Sequence, residues 1–492
     1  MQISVLHYHF RPGGVRRVIE LGLPAIVQAT GVKRVVLASG EAPATVWREQ
    51  MEAALFPCVP EWITESALGY WSEQQDSAAD VGEAIRAALQ RIVPRESILW
   101  AHNLSVGRNM LLTQEISRVA NHGTVWLHHH DWWWDGRWER WPEMAGQGIT
   151  SLEQAVRVTL PNGDGFRHFC VNAADARLLR EWTAIDVRFL PNPIVLEPAA
   201  EEESAHAREF LRRLTGTEKW WVYPCRGLRR KNIAEALLVQ RWLAPEAATV
   251  TTGAASSQAE RGYFSTLTDA AVKHGWPLHA GVCTGPDAPP VNALLTAADA
   301  VAVTPVREGF GLPYYEAAAA GRPLFARIPQ GMEETLDATG FIFRHGWQEL
   351  RVPHDLYGRT HEEARVAAGR HRLQSFLPAE LHLLSETCVF GPQEFADFGR
   401  LTLAAQLEVL ARPVEALRKA LGSQHPELEI PPSPQPMASK AWSPEKWAAA
   451  LVQQGLEPPG GPAREGWPRH AERFLTPLLE KWLRCPLLWD AG

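Results

Sequence analysis

The sequence predicts an α/β protein of two tandem doubly wound, Rossmann-like domains facing a cleft, with a helical C-terminal extension. Two observations carry this. Short β-rich runs alternate with longer stretches whose apolar residues recur at three and four positions, and strand, helix, strand repeated implies a parallel sheet covered on both faces. The alternation breaks once, at "VRFLPNPIVLEPAAEEESA" (187–205), where three prolines and a run of acids interrupt it as a linker would. A domain boundary is therefore expected near residue 195.

In chain order, "ISVLHYH", "KRVVLAS", "SILWAHN" and "TVWLHHH" are the expected strands of the first domain, residues 1–195. Between them, "VRRVIELGLPAIVQA" and "DVGEAIRAALQRIV" have helical periodicity. In the second domain, 196–390, "KWWVYPC", "APEAATVTTG", "PLHAGVC", "DAVAVTP" and "RPLFARI" are strands, and none is expected beyond about residue 375. A helical segment, 391–424, is expected to cross back to the first domain. A proline-rich linker, 425–437, and a Trp-rich helical tail, 438–492, complete the chain.

With 492 residues, 46% hydrophobic and 21% charged, the composition is that of a soluble globular protein. A formal net charge of −7 leaves no basic surplus for nucleic acid. No apolar run approaches the roughly 20 residues of a membrane helix. The start "MQISVLHYHF" reads as a buried strand rather than a signal peptide, and six cysteines without paired spacing give no disulfide framework, so a cytoplasmic protein is expected.

The chemistry concentrates in "EGFGLPYYEAAAAGRP", which begins at Glu308 after the strand "DAVAVTP". Ligands of doubly wound sheets bind at the carboxyl edge of the strands, where this turn lies. Gly309 and Gly311 permit close backbone approach, and the helix start at Leu312 and Pro313 favours a phosphate. Glu316, about one turn into that helix, can accept two hydrogen bonds from a vicinal diol such as a ribose. Glu308 is then left to face a second polyol or a developing positive charge. A nucleotide sugar has both ends, joined by a diphosphate. The second element, "YPCRGLRRKNIAEAL", carries Arg226 and Lys231 to the same edge as an anion site, while Arg229 and Arg230 read as a solvated basic turn.

These two motifs resemble those of the retaining glycosyltransferases of the GT-B fold, glycosyltransferase family 4, over roughly residues 1–410. The resemblance implies that Arg226 and Lys231 bind the donor diphosphate, Glu308 contacts the donor sugar and Glu316 holds the ribose. The backbone of Phe310, Gly311 and Leu312 would meet phosphates and sugar. "HFRPGGVRRVIEL" places Gly13 and Gly14 after the first strand, similar to that family's glycine loop, with Arg16 where the family often has glutamate. Members commonly hold a histidine from the strand corresponding to "TVWLHHH" near the donor sugar. This makes His130 the first choice at the donor sugar, with His102, Asp131 and Arg16 as acceptor-side candidates. Three consecutive histidines also invite a zinc reading, but neighbouring positions on one strand cannot all converge, so no metal site is expected.

The expected function is metal-independent transfer of a hexosyl group from a UDP- or GDP-sugar to a hydroxyl of a small or polysaccharide acceptor. Retention by same-face attack is expected, the leaving phosphate taking the acceptor proton. No Asp-x-Asp occurs, so cationic side chains and the helix start have to meet the diphosphate, and no cofactor is expected. The alternatives are a nucleotide-sugar epimerase or a phosphorylase on the same fold, or a non-catalytic scaffold that uses the Trp-rich tail as its contact surface. "DWWWDGRW" reads as a sugar-stacking platform, as core, or as a homo-oligomer contact.

Overall fold

The computed structural model describes residues 1–119, 123–255, 257–285, 287–341, 346–382, 394–429, 442–459 and 466–489. The chain divides into two compact units. The first comprises Met1–Val195, Leu373–Leu384 and Trp442–Leu479; the second comprises Leu196–Arg372, Ser385–Ala441 and Glu480–Gly492.

Among the described residues, the first unit is built on seven parallel strands: β1 (Gln2–Leu6), β2 (Arg34–Ser39), β3 (Glu61–Thr64), β4 (Ile98–His102), β5 (Thr124–His129), β6 (Phe166–Cys170) and β7 (Val187–Phe189), in the order β3-β2-β1-β4-β5-β6-β7. Every residue of β1, β4 and β6 is buried, as expected of a parallel sheet covered on both faces. The order reverses between β1 and β4. Chain connections leave that point in opposite directions, opening a crevice at the carboxyl edge.

The second unit repeats this plan with β8 (Trp220–Arg226), β9 (Ala248–Gly253), β10 (Leu278–His279), β11 (Ala300–Val303), β12 (Leu324–Arg327) and β13 (Gly346–Trp347), in the order β10-β9-β8-β11-β12-β13. Its reversal lies between β8 and β11. These are the strands that lead into the two motifs picked out from sequence.

Three expectations change. A short strand follows residue 375 after all: β15 (Phe395–Asp397) pairs antiparallel with β14 (Arg351–Pro353). The helices Leu403–Leu410 and Val414–Gln424, expected to cross back to the first domain, belong to the second unit. The returning segment is 442–479 instead. Its helix Pro444–Leu456 lies along helix Gly14–Thr30, with fully buried Trp447 pressed on Gly22, where an added Cβ would stand 2.4 Å from the indole. Trp447 Nε1 donates to the Pro191 carbonyl at 2.7 Å, and Trp126 Nε1 donates to the Gly455 carbonyl at 3.1 Å.

The tail's aromatic residues are thus core, not a contact surface: Trp447, Trp467, Trp482 and Trp489 are all buried. So are Trp132, Trp133, Trp134 and Trp138 of "DWWWDGRW", which removes the exposed aromatic platform considered for them. The expected linker, 425–437, lies outside the described residues from 430 onward. Among the described residues, no helix is long and apolar enough to cross a membrane.

Candidate active site

At the reversal point of the second unit, the loops after β8 and β11 are tied together. The Val306 amide donates to the Arg230 carbonyl at 2.9 Å, and Arg230 Nη1 donates to the Arg307 carbonyl at 3.3 Å. Lys231, in the 3-10 turn Arg229–Lys231, forms a close ion pair with Glu308, and Arg230 joins it at 3.4 Å. Arg230 is therefore not the solvated residue expected from sequence. Arg229 turns away to Glu260, 3.7 Å distant.

Lys231 is held by its surroundings. Asn232 adopts a left-handed conformation, φ 51°, which bends the chain sharply into helix Ile233–Leu243. Its side-chain amide donates to Glu235 Oε2 at 2.7 Å and accepts from Gln406 Nε2 at 3.0 Å. Tyr223, fully buried in β8, donates to the Lys231 carbonyl at 3.0 Å. Burial pushes the Lys231 pKa below its usual value, and the Glu308 carboxylate pulls it back up. Two cations thus face one carboxylate. Arg226 is exposed at the end of β8, at the same edge.

Glu308 leads through Gly309 and Phe310 to Gly311, which caps helix Leu312–Ala319 with φ 84°. A Cβ there would lie 2.7 Å from the Tyr314 ring, so the position requires glycine on both counts. Phe310 is buried and stacks on Tyr315, rings 5.1 Å apart, and the Tyr315 hydroxyl meets Thr339 Oγ1 at 2.6 Å. These contacts hold the turn and orient the helix start. Glu316 is half-buried on that helix. Glu308, Phe310, Gly311, Leu312 and Glu316 form one loop and helix start, paired through Glu308 with Lys231, while Arg226 ends the strand before it.

The first unit's edge is lined by histidines. His102 and His128 are register partners on β4 and β5, and His130 follows two positions on. His102 Nδ1 lies 3.1 Å from His130 Nε2. Burial keeps all three neutral: His130 is pushed to about 4, and His102 and His128 well below their usual value. His7, at the end of β1, is pushed to about 3 by burial and then by His9. His129 points to the opposite face and meets His168 at 3.0 Å.

Beyond the histidines, the acceptor-side candidates fare differently. Asp131 pairs with Arg137 at 3.0 Å. Arg16 bonds Glu20 at 2.7 Å, one turn along its own helix, and lies over Trp47, so it is taken up within the helix surface. Gly13 and Gly14 are exposed at that helix start. The structure also brings Arg108 and Arg140 together in this unit, which their sequence separation does not suggest. Arg140 is held by the Val106 carbonyl and Arg108 lies over the Tyr70 ring, 4.9 Å from its centroid. Burial, then Arg137 and Arg108, work against the Arg140 charge. Only the folded loops bring these arginines close enough to repel one another.

A separate cavity of about 340 Å³ in the second unit, lined in part by Glu349, Arg351, His354, Arg400 and Arg484, sits by the β14–β15 ribbon. Some of its charges pair among themselves, as Arg400 does with Glu349 at 2.7 Å.

No protein-family profile matches the chain. Mannosylglucosyl-3-phosphoglycerate synthase of Petrotoga mobilis is 25% identical over 334 residues, 64% of this chain and 62% of that protein. The match thus spans somewhat under two thirds of the relative's length. Sucrose-phosphate synthase of Thermosynechococcus elongatus superposes with a TM-score of 0.52 at 15% identity, covering 92% of this chain and 97% of that one. Anabaena HepE in complex with UDP-glucose superposes with a TM-score of 0.48 at 15% identity, covering 87% of this chain and all of that one. The likeness to sucrose-phosphate synthase establishes the fold, two doubly wound domains in one chain, as the sequence predicts.

Proposed function

We propose that this chain is a glycosyltransferase that moves a hexosyl group from a nucleotide sugar to an acceptor hydroxyl with retention of configuration. The observation that carries the reading is the Arg230–Lys231–Glu308 cluster beside a glycine-capped helix start, at the point where the strand order of the second sheet reverses. A nucleoside diphosphate gains negative charge as it departs. Fixed cations and helix N–H groups aimed at it stabilise that charge without reorganisation.

In this reading Lys231, Arg230 and Arg226 meet the diphosphate, and the amides from Phe310 to Leu312 complete its cradle. Glu316 takes the ribose diol. Glu308, released from Lys231 as the phosphates arrive, faces the sugar where positive charge develops. The leaving phosphate takes the acceptor proton on the same face, so neither a carboxylate nucleophile nor an ion on the diphosphate is required.

The acceptor is proposed to be a small anionic hydroxy compound. Arg108, Arg137 and Arg140 of the first unit support this, as does the phosphoglycerate glycoside that the Petrotoga relative is named for making. The test is incubation with labelled UDP- and GDP-hexoses, with and without phosphoglycerate and its glucoside, following nucleotide release and product mass. Absence of both nucleotide-sugar binding and turnover with every donor would sink the proposal.

A further inference from the structure

We propose that His102, His128 and His130 form a binding site for a divalent transition-metal ion of the zinc class, held by three imidazole nitrogens with a fourth position open. The three rings come from two adjacent strands rather than from one. Neighbouring parallel strands lie about 4.8 Å apart, and residues two apart on a strand share a face, so His102 beside His128 with His130 beyond it gives a triangle. One ring nitrogen from each of the three lies within 4.8 Å of the other two. Three nitrogens around a tetrahedral ion stand about 3.4 Å apart, given bonds of roughly 2.0–2.1 Å, so modest side-chain rotation closes the set. The three ring centroids lie 4.5, 5.2 and 5.4 Å from one another.

The independent observation is unmet hydrogen-bonding capacity. His102 and His128 have no exposed surface, yet among the described residues His102 Nε2 and both ring nitrogens of His128 meet no hydrogen-bond partner. Buried polar groups are ordinarily satisfied, and a nitrogen lone pair that finds no donor in the protein is what a metal ion takes. His130 keeps part of its surface accessible, which gives the ion a way in. Three histidines with an open position are the ligand set of zinc sites that bind water or an oxyanion.

The test uses the full chain, stripped with a chelator and titrated with Co²⁺ by visible absorption and with Zn²⁺ by calorimetry. One equivalent per chain is expected, with the intense d–d bands of four- or five-coordinate Co²⁺. His128→Ala is expected to weaken binding by more than about 100-fold, while replacing the exposed His274 leaves it unchanged. Circular dichroism checks the fold of each variant. Should His128→Ala not fold, His130→Ala at the accessible rim carries the same expectation. Lack of stoichiometric binding by the unsubstituted chain, or full binding by a folded His128 or His130 variant, overturns the proposal.

Discussion

The carboxyl edges of the two sheets have the same strand plan and opposite chemistry. At the second, a lysine, an arginine and a glutamate share charge; at the first, rings from β1, β4 and β5 are held neutral by burial. The topology sets where a ligand can be approached from several loops at once. What is recognised there depends on whether the site spends its burial on paired charge or on uncharged nitrogen donors.

The largest expected effect breaks the charged edge. Lys231→Ala removes the closest cation from the Glu308 carboxylate, and removing one member of a buried pair costs about 3–5 kcal/mol. Urea unfolding is expected to show that loss together with loss of nucleotide-sugar binding by calorimetry. Of similar size is Trp447→Ala, which empties the space above Gly22 beside the His128 ring and is expected to destabilise the chain by about 3–5 kcal/mol, read from the same unfolding curves.

Glu308→Gln is expected to slow transfer by about 10²–10³-fold while changing the nucleotide-sugar Kd little, because the proposed role belongs to the transition state. Glu316→Ala is expected to act the other way, weakening nucleotide binding by about 10–100-fold, with a smaller change in kcat at saturation. If the two variants give the same kinetic signature, the separate roles of these glutamates are wrong.

The mildest perturbation is pH. His7, His130 and His168, with folded values of about 3, 4 and 4, are depressed from an unfolded value of 6.5. Between those limits the unfolded chain binds protons that the folded chain does not, so stability falls as pH falls from about 6.5 toward 4 and is insensitive to these groups above 6.5. The urea midpoint against pH checks this, and a flat profile across that window would show that the rings are not held neutral.

The Glu308–Glu316 stretch and the Arg226–Lys231 turn were legible as an edge site because their signals are local. Two glycines, a proline at the helix start and spaced charges fall within short runs, and the strand before each run places it at the edge. The histidine triangle was not, because it needs the register of β4 against β5, a relation between residues 26 positions apart. "LWAH" and "WLHHH" ending at the same level was the available sign. Arg230 was misjudged for a related reason: a charge run looks solvated until a second loop supplies the carboxylate. The returning segment escaped notice because its tryptophans show that something must be covered, without showing what.

That last contact has a consequence for how the protein is made. Trp447 completes the first unit's core, yet it emerges roughly 250 residues after that unit's last strand, a delay of about 12–50 s at ribosomal rates of 5–20 residues per second. During that interval the groove on helix Gly14–Thr30 is open on the nascent chain. The first half of the polypeptide is thus a natural client for chaperones that cover apolar grooves during synthesis.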